Sequence, residues 1–460
     1  MRDSRGNLYI AYRKKYKQQY ETAYHIFVAK SSDDGVHWRL LNGGRPIETV
    51  GDFNQRVPAI TVDQQDVLHV VWYGSDETTD GRNENQIKYT RSIDAGESWS
   101  TWQNLNWVAG YANQPLWQEH PTIFVDQANR LYVVWEGRDN WYNAASQAKF
   151  TKSIDGGLSW TPWVNIAPSM NSRSRPSLVA TADNHLYVFV YGTRNGRQQI
   201  LYASSPNGGA QWSRWRQVAA SDQDQRHVSV AVDNAGQIHV VWRQLPFSPR
   251  NPQDQGAQIY YAMFDGAVWS TPVRVGSHLG VAQTYPSIAI DSTSTVWITW
   301  VETTTPYNFP QDAPTTGAIS YAVKSAIGWS SPLRYADGGN HVYPSLPRTL
   351  AAGSAQMDIV WLEALPTTNV IHFAHLSRPT HFVPTAIMHM ETKPTFFSVS
   401  NLATAWMQAE QQPPSLRLGA FFQPDQILPD LRSILLLIGI VSVYVIVKFL
   451  VGRWLAVVFR

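Results

Sequence analysis

The chain reads as an all-β propeller of four-stranded antiparallel blades, followed by a C-terminal transmembrane helix. Three observations predict this. One eight-residue motif occurs four times at a long period. A second pattern, two short strands ending in tryptophan, recurs between the copies. Near the end, the character of the chain changes to an apolar run with few charges.

The motif is Ser31-Ser32-Asp33-Asp34-Gly35-Val36-His37-Trp38, or S-x-D-x-G-x-x-W. It returns with Asp94 and Trp99, with Asp155 and Trp160, and with Asn207 and Trp212, where Asn replaces Asp. The tryptophans are separated by 61, 61 and 52 residues. A near-fixed long period means one supersecondary unit repeated. Asp and Gly between β-rich segments make a tight turn. The Asp side chain bonds nearby backbone N–H groups, and Gly supplies positive φ. The Trp is expected to fold back and anchor the turn against the next strand. These residues therefore read as scaffold rather than chemistry.

The second pattern precedes each turn. Arg56 to Trp72 and Arg226 to Trp242 both show a short alternating run, a polar turn and a β-branched run ending in Trp. An Asp stands nine residues before the strand-ending Trp at 63/72, 126/135, 233/242 and 291/300. The strand-ending position runs through Tyr12, Trp72, Trp135, Val190, Trp242, Trp300, Trp361 and Trp406. A further strand, the boxed turn and a fourth strand follow. Four short strands per 40 to 60 residues is the signature of a propeller blade. Twelve of the 20 Trp occupy the two repeat positions, so most of them pack blades. Counting leaves six to eight blades, and we take seven.

S-x-D-x-G-x-x-W resembles the Asp box, or BNR repeat, of the sialidase (neuraminidase) superfamily. The resemblance covers residues 1–422. It implies a propeller that acts on or binds glycans, but fold alone does not fix activity. Sialidases hold a substrate carboxylate with three arginines, use a Tyr–Glu pair as nucleophile and use an Asp as acid/base. Arg56-Val57-Pro58 matches the family's R-I-P motif, and Arg226 repeats the position three blades on, so both are implied substrate-binding residues. Asp80 or Asp76, in the loop after the next strand, corresponds to the family Asp. Tyr343 or Tyr285 corresponds to the nucleophile, with Glu302 or Glu363 as its activator. A third arginine is missing in register; Arg348 is near but displaced. Those glutamates are equally explained as polar residues at a blade rim. A non-catalytic module binding glycan or protein through its loop face is the competing reading.

Six tryptophans outside the repeat positions, at 102, 107, 117, 141, 163 and 215, suit either sugar stacking or loop packing. No metal set, phosphate loop, serine-hydrolase elbow or dinucleotide fingerprint is present, so no cofactor is expected. The formal net charge of +2, without a basic run, argues against nucleic acid. Cysteine is absent, which excludes disulfides and thiolate chemistry.

The tail differs in kind. After a Pro-containing linker at 423–432, Ser433 to Val447 is uncharged. Spanning needs about 20 residues, but Lys448 can snorkel and extend the span to 433–452. Lys448, Arg453 and Arg460 flank the far side, which puts the tail 453–460 in the cytoplasm and the propeller outside the cell membrane. At the other end, Asp3 to Tyr12 aligns with the middle of a repeat. A first strand and a signal peptide are therefore expected upstream, unless residues 394–400 supply that strand.

Overall fold

The computed structural model describes residues 1–17, 22–77, 85–105, 117–139, 145–245, 256–275, 281–303, 317–325, 328–337, 343–352, 356–364, 369–377 and 383–390. Within these residues lie seven antiparallel sheets. Blade 1 has strands Leu8–Lys17, Thr22–Ser31 and Arg39–Leu40. Blades 2 to 5 each have four strands, with innermost strands Gln55–Val62, Gln118–Val125, Arg173–Ala180 and Gln225–Val232. Blade 6 starts at Ala282–Ile290, and blade 7 at Tyr343–Ala351. The innermost strands of successive blades lie side by side around the axis. In blade 1, Leu8–Lys17 is the counterpart of a second strand, as the register of Asp3 and Tyr12 predicted.

The two strand patterns in the sequence have different burial behind them. Second strands such as Leu68–Gly74 and Leu131–Gly137 are buried at every residue. Neighbouring blades cover both of their faces, so apolar and β-branched residues run on without alternation. The innermost strands Gln55–Val62 and Gln225–Val232 are only half-buried. The Trp of the second strand is held by a Gln of the innermost strand. The Trp72 and Trp135 indoles donate to Gln55 and Gln118 at 2.9 and 2.7 Å.

The repeated turns share one hydrogen-bond scheme. The Ser31, Ser92, Ser153 and Ser205 hydroxyls donate to Asp33, Asp94, Asp155 and Asn207. Each hydroxyl oxygen also accepts the N–H of the box Gly, and the Asp or Asn accepts a later backbone N–H. The box Gly has φ between 82° and 93°. A Cβ there would strike Phe373, Leu41, Tyr89 or Phe150 within 2.3 Å, so the position needs Gly twice over.

The box Trp does more than anchor its own turn. Trp38, Trp160 and Trp212 set their edges on Phe373, Tyr89 and Phe150, with centroids 5.6, 4.9 and 5.2 Å apart. Each of those rings belongs to the third strand of the preceding blade. Trp99 packs into the blade 1 core instead, where Val28 lies. The contact outlives the motif. In blades 5 and 6, where the box has decayed, Trp269 still meets Tyr202 at 5.5 Å and Trp329 meets Tyr261 at 5.0 Å. Trp38 on Phe373 is the same latch closing blade 1 on blade 7.

Among the described residues no helix is long and apolar enough to cross a membrane. The apolar segment 433–452 and the linker before it lie outside the described residues, as do residues 394–400 and Trp406.

Candidate functional site

Five innermost strands carry the same irregularity, and the blade 7 strand Tyr343–Ala351 slips likewise between Ser345 and Arg348. Register slips between Arg56 and Ala59, Glu119 and Thr122, Ser174 and Ser177, Arg226 and Ser229, and Thr284 and Ser287. The residue inside each slip has positive φ: Val57, His120, Arg175, His227 and Tyr285, at 46° to 54°. These are β-bulges, which re-aim one side chain and bend the strand. Pro follows in four of the five. An innermost strand has a free edge, so a residue with no N–H is tolerated there. The R-V-P motif at residue 56 is therefore one instance of a bulge repeated around the ring. What it does chemically depends on the residue each blade places there.

Blade 3 places acid and imidazole. Glu119 faces Glu136 across the strand pair. His120 Nδ1 lies 2.6 Å from Glu136 Oε1 and 3.8 Å from Glu119 Oε2. The Arg175 backbone N–H donates to Glu136 Oε2 at 2.8 Å, and Asn85 donates to Glu119 Oε1 at 2.6 Å. The two carboxyls are pushed apart in acidity. Burial, helped by the Glu136 charge, raises Glu119 to about 8 against weaker pulls from Asn85, Arg56 and Arg175. Burial also acts to raise Glu136, but the His120 charge and hydrogen bond with Arg175 hold it below the usual range. Glu119, His120 and Glu136 present ligand atoms within 4.8 Å of one another. Positive charge already reaches this corner from Arg56 and Arg175, and His120 Nδ1 is engaged by Glu136. The set therefore suits proton sharing better than a cation.

Blades 4, 5 and 7 place cations, and blade 6 places Tyr285. His227 is buried, its ring stacked on Tyr285 with centroids 4.8 Å apart. Its Nδ1 has only a long approach to Thr284 Oγ1, 3.5 Å, and its Nε2 has no hydrogen-bond partner among the described residues. Burial, then the charges of Arg175, Arg243, Arg226 and Arg348, hold it well below its ordinary pKa, so it is neutral. Arg348 keeps contact with water although protein atoms crowd it; burial and repulsion from Arg175 both lower it. On the other flank, Arg13 is lowered by burial and by Arg56. The result is a ring rich in guanidinium, with Arg175 electrostatically coupled both to the blade 3 acids and to His227.

The residues expected from sequence fall in several places. Arg56 lies with Glu119, Tyr73 and Arg13. Arg226 lies with His227, three blades on. Tyr285 lies in the same group through its stack on His227. Asp76 lies elsewhere, fully buried, accepting from Asn104 at 3.0 Å and paired with the Lys88 ammonium, which lies over the Trp102 ring. Blade 3 repeats this cage with Lys149, Asp139, Asn165 and Trp163. Glu302 accepts from Gln283 and from the Trp300 indole, and pairs with Arg334. Asp80 and the Tyr343 side chain lie outside the described residues, as do Trp107 and Trp141. Trp102, Trp163 and Trp215 cover Lys88, Lys149 and Arg173. Glu119, His120, Arg175, His227 and Arg243 were missed from sequence. Glu119-His120-Pro121 and Ser174-Arg175-Pro176 stand in the register of Arg56-Val57-Pro58, and that alignment was the available signal.

No protein-family model and no curated protein matches the chain. Solved structures do. An ulvan lyase of polysaccharide lyase family PL25 superposes with a TM-score of 0.53 at 12% identity, covering 85% of this chain and 91% of that one. The fold is a seven-bladed propeller. An α-L-arabinanase of Penicillium chrysogenum has a TM-score of 0.47 at 13% identity, covering 67% and 88% of the two chains. The NanB sialidase of Streptococcus pneumoniae has 0.45 at 14%, covering 65% and 64%. At these identities the likeness is one of fold.

Proposed function

We propose that the arginine-rich ring binds an acidic glycan at the end of the channel. One observation carries this reading. Four guanidinium groups surround the neutral, buried His227, whose Nε2 has no hydrogen-bond partner among the described residues. Such a site gathers positive charge around a neutral ring, and arginine forks match carboxylate geometry. The ulvan lyase, also solved with a fragment containing GlcA bound, lends support at the level of architecture. The repeated S-x-D-x-G-x-x-W turns add the sialidase-superfamily resemblance. A sialidase-type hydrolase would use Arg56 and Arg226 on the carboxylate and Tyr285 or Tyr343 as nucleophile. The bonds that Gln283, Trp300 and Arg334 make to Glu302 favour it less as the activator of that tyrosine. The apolar tail would hold the ring at the outer face of a membrane, within reach of surface glycans.

Binding of polygalacturonate, alginate and 3′-sialyllactose, each compared with neutral laminaran by calorimetry, tests the reading. Arg226→Ala is expected to weaken an acidic ligand at least about tenfold, since a charge-assisted bond is worth about 1.5–3 kcal/mol. Equal affinity for neutral and acidic glycans, or affinity indifferent to Arg226, would overturn it.

A further inference from the structure

The cations do not stop at the ring. We infer that the blade 1 hairpin, Leu8–Lys17 with Thr22–Ser31, extends the ring into a track for a polyanionic glycan, a chain with acidic groups on more than one residue. This deepens the acidic-glycan reading and rests on it.

Arg13, Lys14, Lys15 and Lys17 stand at the end of Leu8–Lys17. Along the chain they are four cations broken by Tyr16. The strand sorts them, because successive side chains point to opposite faces. Tyr12, Lys14 and Tyr16 share one face, and the two tyrosines pack towards Ile371 of blade 7. Arg13, Lys15 and Lys17 share the other, spaced about 6.6 Å apart by the strand rise. On that face Ala11 packs against the core of Trp72 in blade 2.

The stripe begins at the ring. Arg13 feels the charge of Arg56, and both act on the Tyr73 hydroxyl. The N–H of Tyr24, opposite Lys15, donates to Asn54 Oδ1 at 3.0 Å, close to Arg56 in the chain. The Tyr24 ring supports the stripe. The Arg13 guanidinium lies 4.8 Å from its centroid and the Lys15 ammonium 5.6 Å. A ring face holds a cation in place without cancelling its charge. Arg39 and Arg130, by contrast, are paired with Glu97 and Asp126. Among the described residues no carboxylate pairs with Arg13, Lys14 or Lys17. Solvent also reaches this stretch. Leu68–Gly74 and Leu131–Gly137 are buried throughout, whereas only Leu8, Tyr9 and Tyr12 are buried in Leu8–Lys17.

A glycan held by one acidic group in the ring lays its next acidic groups along Arg13, Lys15 and Lys17. The second contact is then intramolecular, so the gain is one of avidity. A single terminal acidic sugar uses the ring alone. The track therefore favours an acidic polymer over a sialoside.

Affinities of the full chain for oligogalacturonates of two and eight residues, 3′-sialyllactose and a single-stranded thymidine oligonucleotide are measured by calorimetry at low and high salt. The octamer is expected to bind more tightly than the dimer. Salt should weaken the octamer more steeply, because exposed charges are screened. In Lys15→Gln/Lys17→Gln the ratio of octamer to dimer affinity should fall at least about tenfold, as when a second contact on one chain is lost. Lys15→Arg/Lys17→Arg keeps the charges and should keep the ratio. A ratio in the glutamine variant within about threefold of the parent's, or an equal loss in the arginine variant, would overturn the track and leave the ring as a glycan site. Equal salt dependence of octamer and dimer in the parent would overturn it without any variant. Tighter binding of the oligonucleotide than of the octamer, lost in the glutamine variant, would give the stripe to a nucleic acid and overturn it equally. No binding of any acidic glycan would remove both readings.

Discussion

A buried charge reveals its role by what surrounds it. Lys88 is fully buried with Asp76, Asn104 and the Trp102 ring, and Lys149 repeats the cage one blade later. Burial lowers Lys149 to about 8 despite the raising pull of Asp139. Removing one partner strands the other charge, which costs about 3–5 kcal/mol. Asp76→Ala is therefore expected to lower unfolding free energy by about that amount in denaturant titrations, and adding Lys88→Met should recover much of it. Unchanged stability with abolished turnover would return Asp76 to the chemistry that the sialidase resemblance implied. Glu119 makes a different prediction. Its folded pKa, about 8, lies above the ordinary 4.5, so the folded state holds a proton that the unfolded chain releases. The associated stability is fully present below pH 4.5 and is lost as pH rises towards 8. The slope should reach about 1.4 kcal/mol per pH unit at most. Melts from pH 5 to 9 should show this fall in the parent and a flatter curve in Glu119→Gln. A parallel pair of curves would place Glu119 ionised in the folded state.

At the scale of elements, turn and strand carry separate duties. The boxed turns sit at the outer side of each blade and spend their polar atoms on themselves. Asp94 accepts from Ser92, Ser98 and the Ser98 N–H. Asp94→Ala should cost about 0.5–2 kcal/mol, the range of a lost capping residue, and leave glycan affinity intact. A melting temperature equal to the parent's with lost binding would tie the boxes to the site instead. The innermost strands set Glu119, His120, Arg175 and His227 at or beside their bulges. This division explains what was legible. The boxes are local, and S-x-D-x-G-x-x-W spells out bonds between residues two to four apart. The strand-ending Trp is legible from its local spacing to the Asp nine residues before it, although it packs in a core shared with the preceding blade. The Trp38–Phe373 latch was not legible, because its partner is set by ring closure rather than by spacing. Nor was the Glu119–His120–Glu136 corner. Glu136 follows a strand-ending Trp by a single residue and looks like any rim carboxylate until the register puts it opposite Glu119. The bulge that aims His120 breaks the period-2 pattern from which facing is read.

For the whole molecule, closure is a side-chain event among the described residues. Blade 1 lacks a described innermost strand, yet Tyr12, Phe27 and Ala29 share a core with Ile371 of blade 7. Arg2 reaches Asp34 in blade 1 and Asp358 in blade 7, and His375 holds the other Asp358 oxygen. The ring is thus joined by packing and a partly buried ion pair within residues 1–377. That bears on the tail. If the propeller is complete without it, the apolar segment from Ser433 has a separate purpose, and 15 uncharged residues followed by Lys448 suit a membrane span. Deleting 434–460 should give a ring that stays in the aqueous phase of a detergent separation and melts where the full chain's ring does. The full chain should enter the detergent phase. A truncated protein that aggregates or melts lower, together with a full chain that stays aqueous, would make the tail part of the folded ring rather than its anchor.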